Sequence, residues 1–483
     1  MRSTSRMILM VALFATALRA PAVAAAEADG EATEADPTAR LTEDYSCMFC
    51  HGPSGTLADA EANKHLIVTE DDLLADIHWQ KGLRCHDCHG GSTDLEDFVV
   101  HRDDASFRRI VTPADMPGFC SRCHSDTAYM RRYRPSPRTD QEVEYWTSGH
   151  GQRLRQAAAE YQTALDNLPA GEAPPEFDDP QVATCIKCHS PGGKHHILAV
   201  VDPLSPVYPT NVAVMCSKCH SNAQLMAGRI YHDRPLGHSQ YEQWKNSVHG
   251  RALLVQGDLS APACNDCHGN HGALPPEVDS VANACGTCHA KVADLFSKTR
   301  MKHKFEAVGL PGCATCHDSH GIQAPSDEML GMSEGTTCAR CHKDNKFGAT
   351  LAGGMTARSM RAGLEGLKQQ IVDAETQIAI AERLGMEVRG PRYDLRKAHQ
   401  ALTNARTQIH SFAPGPVEKA LAEGLEVTSS VRASAEAALA EHRYRRIWLA
   451  CSLVPILIVV GLLLLYIRSL PQTSSPSRTA ASN

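Results

Sequence analysis

The chain has 483 residues, a formal net charge of −7 and an aromatic content of 5%. No basic excess marks a polyanion-binding surface, so nucleic acid is not an expected partner. Nineteen cysteines exceed what a cytosolic enzyme carries, and so few aromatics are thin for a large core built of side chains alone.

At the amino terminus, Arg2 and Arg6 precede an apolar run at 7–18, and small residues follow at Ala22-Val23-Ala24-Ala25-Ala26. Charge, short apolar core and small-residue cleavage site, in that order, read as a secretory signal peptide over residues 1–26. The run is too short to be a membrane anchor. Residues 27 onward are therefore expected outside the cytoplasm, in the periplasm.

The next element is a motif spelled nine times, Cys-x-x-Cys-His. Its cysteines are Cys47 and Cys50, Cys85 and Cys88, Cys120 and Cys123, Cys185 and Cys188, Cys216 and Cys219, Cys264 and Cys267, Cys285 and Cys288, Cys313 and Cys316, and Cys338 and Cys341. The nineteenth, Cys451, lies in a later apolar segment. Two thiols at this spacing add to the two vinyl groups on one edge of a haem, and the following His becomes the proximal iron ligand. Zinc ribbons would pair the Cys-x-x-Cys units without demanding a His after each, and a disulfide framework would not hold one spacing nine times. Nine covalent haems c are expected, with His51, His89, His124, His189, His220, His268, His289, His317 and His342 as proximal ligands. Roughly 33 residues per motif over 47–342 cannot cover nine porphyrins and also build an independent core. The haems themselves are expected to be the core of a domain over 27–346.

Sixteen of the 25 histidines lie outside the motifs, and most follow a repeat of the form His, motif, His, motif. The first repeat reads His78, Cys85–His89, His101, Cys120–His124. The second reads His150, Cys185–His189, His195/His196, Cys216–His220. The third reads His249, Cys264–His268, His271, Cys285–His289. The fourth reads His303, Cys313–His317, His320, Cys338–His342. The leading His of each repeat is expected on a short helix. His271 and His320 stand three residues past a proximal His, too close to reach the far face of the same haem, and should serve a neighbouring one. Distal ligation is assigned to His78, His101, His150, His196, His249, His271, His303 and His320, since imidazole suits iron. One iron remains, with His65, His86, His232, His238 and His410 as candidates; His238 stands for it in the ligand set. Met48, Met116, Met215 and Met301 are available thioethers for which packing is the expected role.

Local wording carries a resemblance. The segments Ser148-Gly149-His150-Gly151 and Ser247-Val248-His249-Gly250, with Cys264-Asn265-Asp266-Cys267-His268-Gly269-Asn270-His271-Gly272 and Cys85-His86-Asp87-Cys88-His89-Gly90-Gly91, resemble the periplasmic multihaem cytochromes c of the tetrahaem and NapC/NrfH-like superfamily. The likeness covers roughly residues 45–345. It implies that these histidines are axial ligands and that electrons pass between a quinol pool and periplasmic redox partners. NapC/NrfH-type members resemble one another in an amino-terminal anchor, and this chain departs from them there.

After Lys346 the motifs stop. Leu364, Leu367, Ile371, Ala374, Ile378 and Ala381 alternate spacings of three and four, and Leu395, Ala398, Leu402, Ala405, Ile409 and Phe412 resume them past Gly385 and Gly390-Pro391. Two such stripes predict an antiparallel helical hairpin, with a third helix from near Pro416 running into the membrane. Residues 347–446 thus read as a stalk or docking bundle; in a sharper reading His410 reaches back to a haem. The uncharged run 447–467 is long enough to cross a bilayer, leaving a cytoplasmic tail at 468–483. The flanking arginines point weakly the other way by charge, and the cleaved signal overrides them. The fold class is thus mainly α and irregular: haem-packed two-haem repeats, a helical bundle and one carboxy-terminal span.

Two functions fit, an electron conduit with every iron closed and a multihaem reductase or oxidase of small nitrogen or sulfur oxyanions with one iron open. The second resembles, loosely and through the long carboxy-terminal helices, the pentahaem nitrite reductase and hydroxylamine oxidoreductase families. The Cys-x-x-Cys-Lys motif of the former is absent, and neither Tyr393 nor Tyr444 is singled out as the haem-linked tyrosine of the latter. The histidine count favours the conduit. Expected partners are redox proteins and a quinol-oxidising membrane complex.

Overall fold

The computed structural model describes residues 46–93, 106–108, 112–231, 234–272, 274 and 279–470. The signal segment, His101, His232 and the tail beyond Leu470 lie outside the described residues. Among the described residues the chain is mainly helical, with one antiparallel two-residue ladder, Ile230–Tyr231 against Arg234–Pro235. It divides into two compact parts, residues 1–108 with the first two motifs and residues 109–483 with the other seven.

The motifs sit on short helical turns because residues three apart on a helix share a face, which sets both thiols side by side. The turns Cys85–His89, Cys185–His189 and Cys264–His268 are the motif itself, whereas Met116–His124 and Pro209–His220 run into theirs. The motif His closes the turn by donating its peptide N–H to the carbonyl of the first Cys, at 2.9 Å for His51 and His289 and 3.0 Å for His317 and His342. Side-chain cores here are small. Val212, Ala213, Trp244, Leu253 and Ala263 form one, Leu154, Ala157 and Val182 another, and Met48 and Leu73 a third.

Beyond Lys346 the chain forms three long helices, Leu351–Arg383, Arg389–Gln408 and Pro414–Ser469. Both apolar stripes face inward, and the third helix adds Val417, Ala420, Leu421, Val431 and Ala435 to the same core. The third helix, expected from near Pro416, thus packs against the hairpin to make a three-helix bundle. Gly424 permits their close approach, since a Cβ there would meet Leu367 at 2.6 Å. The turn falls at residues 384–388, with Gly385 at φ +78°. Gly390-Pro391 sits in the first turn of the second helix, where a missing N–H is tolerated. The stripe also ends earlier than its spacing implies: Phe412 has φ 51° and packs its ring 6.1 Å from that of Phe296 instead. Arg406 adds a second tie, donating to both carboxylate oxygens of Asp327 at 2.8 and 2.6 Å. The third helix continues into the apolar run, which is not buried within the chain. Its length and composition are those of a single membrane span.

Candidate functional site

The functional geometry lies in histidine pairs. Five motif histidines in the larger part each face a second imidazole: His189 and His271 at 6.1 Å between ring centroids, His220 and His150 at 6.1 Å, His268 and His320 at 6.0 Å, His289 and His249 at 6.3 Å, and His317 and His410 at 6.0 Å. Two imidazole nitrogens bound at about 2.0–2.1 Å to one metal put the ring centroids roughly 6 Å apart. The pairs therefore fit one iron with two axial imidazoles. They do not fit a protein cage: among the described residues no group of three or more His, Cys, Asp or Glu could hold a metal ion alone. No cysteine is in a disulfide.

The pairing has an order. The leading His of the second and third repeats faces the second motif of its own repeat, His150 facing His220 and His249 facing His289. The inner His of the third and fourth repeats faces the first motif of the repeat before it, His271 facing His189 and His320 facing His268. His271 and His320, three residues past a motif His, face a histidine of another motif. His317, first motif of the last repeat, has no later repeat to draw on, and His410 takes the place.

Backbone and carboxylate acceptors orient the rings. His51 Nδ1 donates to the Leu66 carbonyl at 3.0 Å, His342 Nδ1 to Thr350 at 2.6 Å and His410 Nδ1 to Thr407 at 3.1 Å. His78 Nδ1 donates to Asp76 at 2.9 Å. A proton held on Nδ1 leaves the Nε2 lone pair for a metal. Desolvation holds His249, His271, His317 and His320 below the ordinary imidazole pKa, which keeps them neutral, the form that ligates.

The motifs also adjoin one another. The thiol of Cys120 lies beside that of Cys185, that of Cys216 beside Cys264 and that of Cys285 beside Cys313. Cys188 lies within electrostatic reach of Cys219, Cys267 of Cys285 and Cys288, and Cys316 of Cys338 and Cys341. From the third motif to the ninth, each stands beside the next.

Several histidines fall elsewhere than expected. His238 is exposed and faces no motif histidine among the described residues; His410 is the one brought to a motif. His303 is exposed too, its Nδ1 3.5 Å from a Glu306 carboxylate, and among the described residues its ring faces no other histidine. His65 is exposed, and His86 lies 3.8 Å from Asp87. His195 and His196 are both half-buried. The repeat held the clue to His410: two inner histidines serving the preceding repeat mean that the last repeat needs one from beyond it.

Comparison with known proteins agrees with the motif chemistry. The family model of the doubled CXXCH motif matches residues 305–347, the eighth and ninth motifs. No curated protein and no solved structure matches the chain. Doubled motifs of this kind indicate covalently bound haem c and a multihaem c-type cytochrome, a chemistry consistent with electron transfer.

Proposed function

We propose that the chain is a membrane-anchored periplasmic cytochrome with nine covalently bound haems c, passing electrons between a quinol-linked membrane donor and periplasmic redox proteins. The observation that supports this most is the unbroken adjacency of motifs from the third to the ninth, five of them carrying facing imidazole pairs. Bound haem c supplies the one-electron iron couple. The chain's own residues hold and close each site. The eighteen motif cysteines fix the porphyrin edges close together, and the motif histidines take the proximal positions. His150, His249, His271, His320 and His410 fill distal positions, and His78, His101 and His196 belong to the same reading nearer the amino terminus. Filled positions exclude small ligands, which suits transfer over catalysis.

The topology proposed with this function puts the haem domain (27–346) and stalk (347–446) in the periplasm, the span at 447–467 in the inner membrane, and 468–483 in the cytoplasm. Electron paramagnetic resonance of the oxidised protein tests the function. Low-spin signals accounting for all the haem are expected. A substantial high-spin signal, with rapid binding of nitrite, hydroxylamine or cyanide, would instead identify a multihaem oxidoreductase.

A further inference from the structure

The leading ligands of the repeats share one local structure, and it repeats a fourth time with a different residue in the ligand position. In the second repeat the helix Gln141–Thr147 ends, Ser148 caps the next helix, and His150 lies two residues past the cap. In the third repeat Gln240–Lys245 ends, Ser247 caps, and His249 lies two residues on. The first repeat does the same with Glu70–Ala75, the Asp76 cap and His78. In the fourth, Ala290–Ser297 ends and Thr299 caps. Two residues on is Met301.

The register is fixed by contacts on both sides of the ligand. The cap N–H donates to the carbonyl three residues back, from Asp76 to Leu73 at 3.0 Å, Ser148 to Tyr145 at 3.0 Å, Ser247 to Trp244 at 2.9 Å and Thr299 to Phe296 at 3.0 Å. The cap hydroxyl accepts from the N–H three residues on, at 3.0 Å for Ser148, 3.1 Å for Ser247 and 3.1 Å for Thr299. All four cap residues are buried. Six residues past the cap stands a buried apolar side chain, Leu154, Leu253 or Phe305. One difference marks the fourth copy: Lys302 replaces Gly151 and Gly250, where a Cβ would meet the carbonyl of Tyr145 or Trp244 at 2.2 Å. The cap hydrogen bond of Thr299 persists despite it.

His303 is out of this register. Positions two apart do not share a helix face, whereas Met301 and buried Phe305, four apart, do. The leading histidines in register face the second motif of their repeat, His220 and His289. Among the described residues His303 makes no such approach to His342. We propose that Met301, not His303, is the distal ligand of the ninth site, so that the site of His342 is His/Met where its neighbours are bis-His. The inference rests on the reading of the motifs as haem c sites. Thioether ligation raises the potential of a haem relative to imidazole, so the ninth site is the most oxidising of the series. His342 adjoins the stalk, bonded to the Thr350 carbonyl that precedes the first stalk helix.

Near-infrared magnetic circular dichroism of the full-length, haem-loaded protein separates thioether-ligated from bis-imidazole ferric haem. One His/Met signature is expected in the wild type. It should disappear in Met301→Leu with one haem turning high-spin, and persist in His303→Ala. In Met301→His, the variant that keeps the iron six-coordinate, the signature is replaced by bis-His and the highest-potential step of the redox titration moves down. A wild type without the signature, its survival in Met301→Leu or its loss in His303→Ala overturns the proposal. Intact mass on the same samples separates the two levels. Nine haems with no thioether signature sinks the ligand assignment alone, and a missing ninth haem sinks the reading beneath it as well.

Discussion

The stalk and the haem-motif region solve the same problem, burying enough of a chain to hold it folded, by opposite means. In the stalk, eighteen buried apolar residues from three helices and the turn between the first two form one continuous cluster, with Leu364, Leu367, Ala374 and Val417 at zero exposure. In the motif region, a longer stretch yields clusters of two to five buried residues. Its polar order is nonetheless high: caps, closed motif turns and oriented imidazoles recur at fixed spacing. Local order with so little side-chain core is what the proposed haem-packed domain requires, since bound porphyrins would supply the missing apolar volume.

The largest effect should come from withholding haem. Expressed in a host unable to attach haem c, the chain should lose protected structure across 46–346 while the stalk helices stay protected, as read by limited proteolysis and mass mapping. Equal protection of both regions would break the contrast. A cavity in the stalk should do the reverse. Leu367→Ala should cost about 2–5 kcal/mol of stalk stability, lowering a thermal transition followed by circular dichroism while the visible haem spectrum is unchanged.

His410→Ala probes an imidazole that crosses from stalk to motif region. It should convert a single haem, that of His317, to high-spin and leave the others low-spin, with the stalk still helical. His238→Ala should leave the spectrum as it is. The smallest effect belongs to the Asp327–Arg406 pair. Its hydrogen bond from Arg406 holds the Asp327 carboxyl below the usual carboxylate range. A depressed acid contributes stability above its unfolded value and loses it as pH falls through the folded one, so the tie weakens below about pH 4. Arg406→Leu should cost roughly 1 kcal/mol at neutral pH, discounted because the guanidinium is partly exposed. It should also flatten the acid limb of the stalk's thermal midpoint.

Much of this molecule is legible in the chain because its determinants are local. Cys-x-x-Cys-His is a five-residue chemical unit whose meaning does not depend on the rest of the fold. The heptad stripes of 364–381 and 395–405 likewise need only helical periodicity, and the apolar run 447–467 only length. The seven-residue likeness between 145–151 and 244–250 marks a helix–cap–helix turn before any coordinates are known. The copy at 296–301 escapes notice because its wording has diverged; only the hydrogen bonds and burial around Thr299 align Met301 with His150 and His249.

Which histidine meets which motif was left to the tertiary structure. The sequence shows that His271 and His320 must look away from their own haems, since three residues of chain cannot pass around a porphyrin. It does not show whether they look forward or back, and the stacking of repeats turns both toward the preceding one. The same stacking leaves His317 without a partner inside the repeats, and a helix ending about ninety residues later delivers His410 to it. Axial pairing joins residues far apart in the chain, so its physical cause is the packing of whole repeats and not any preference of the residues between.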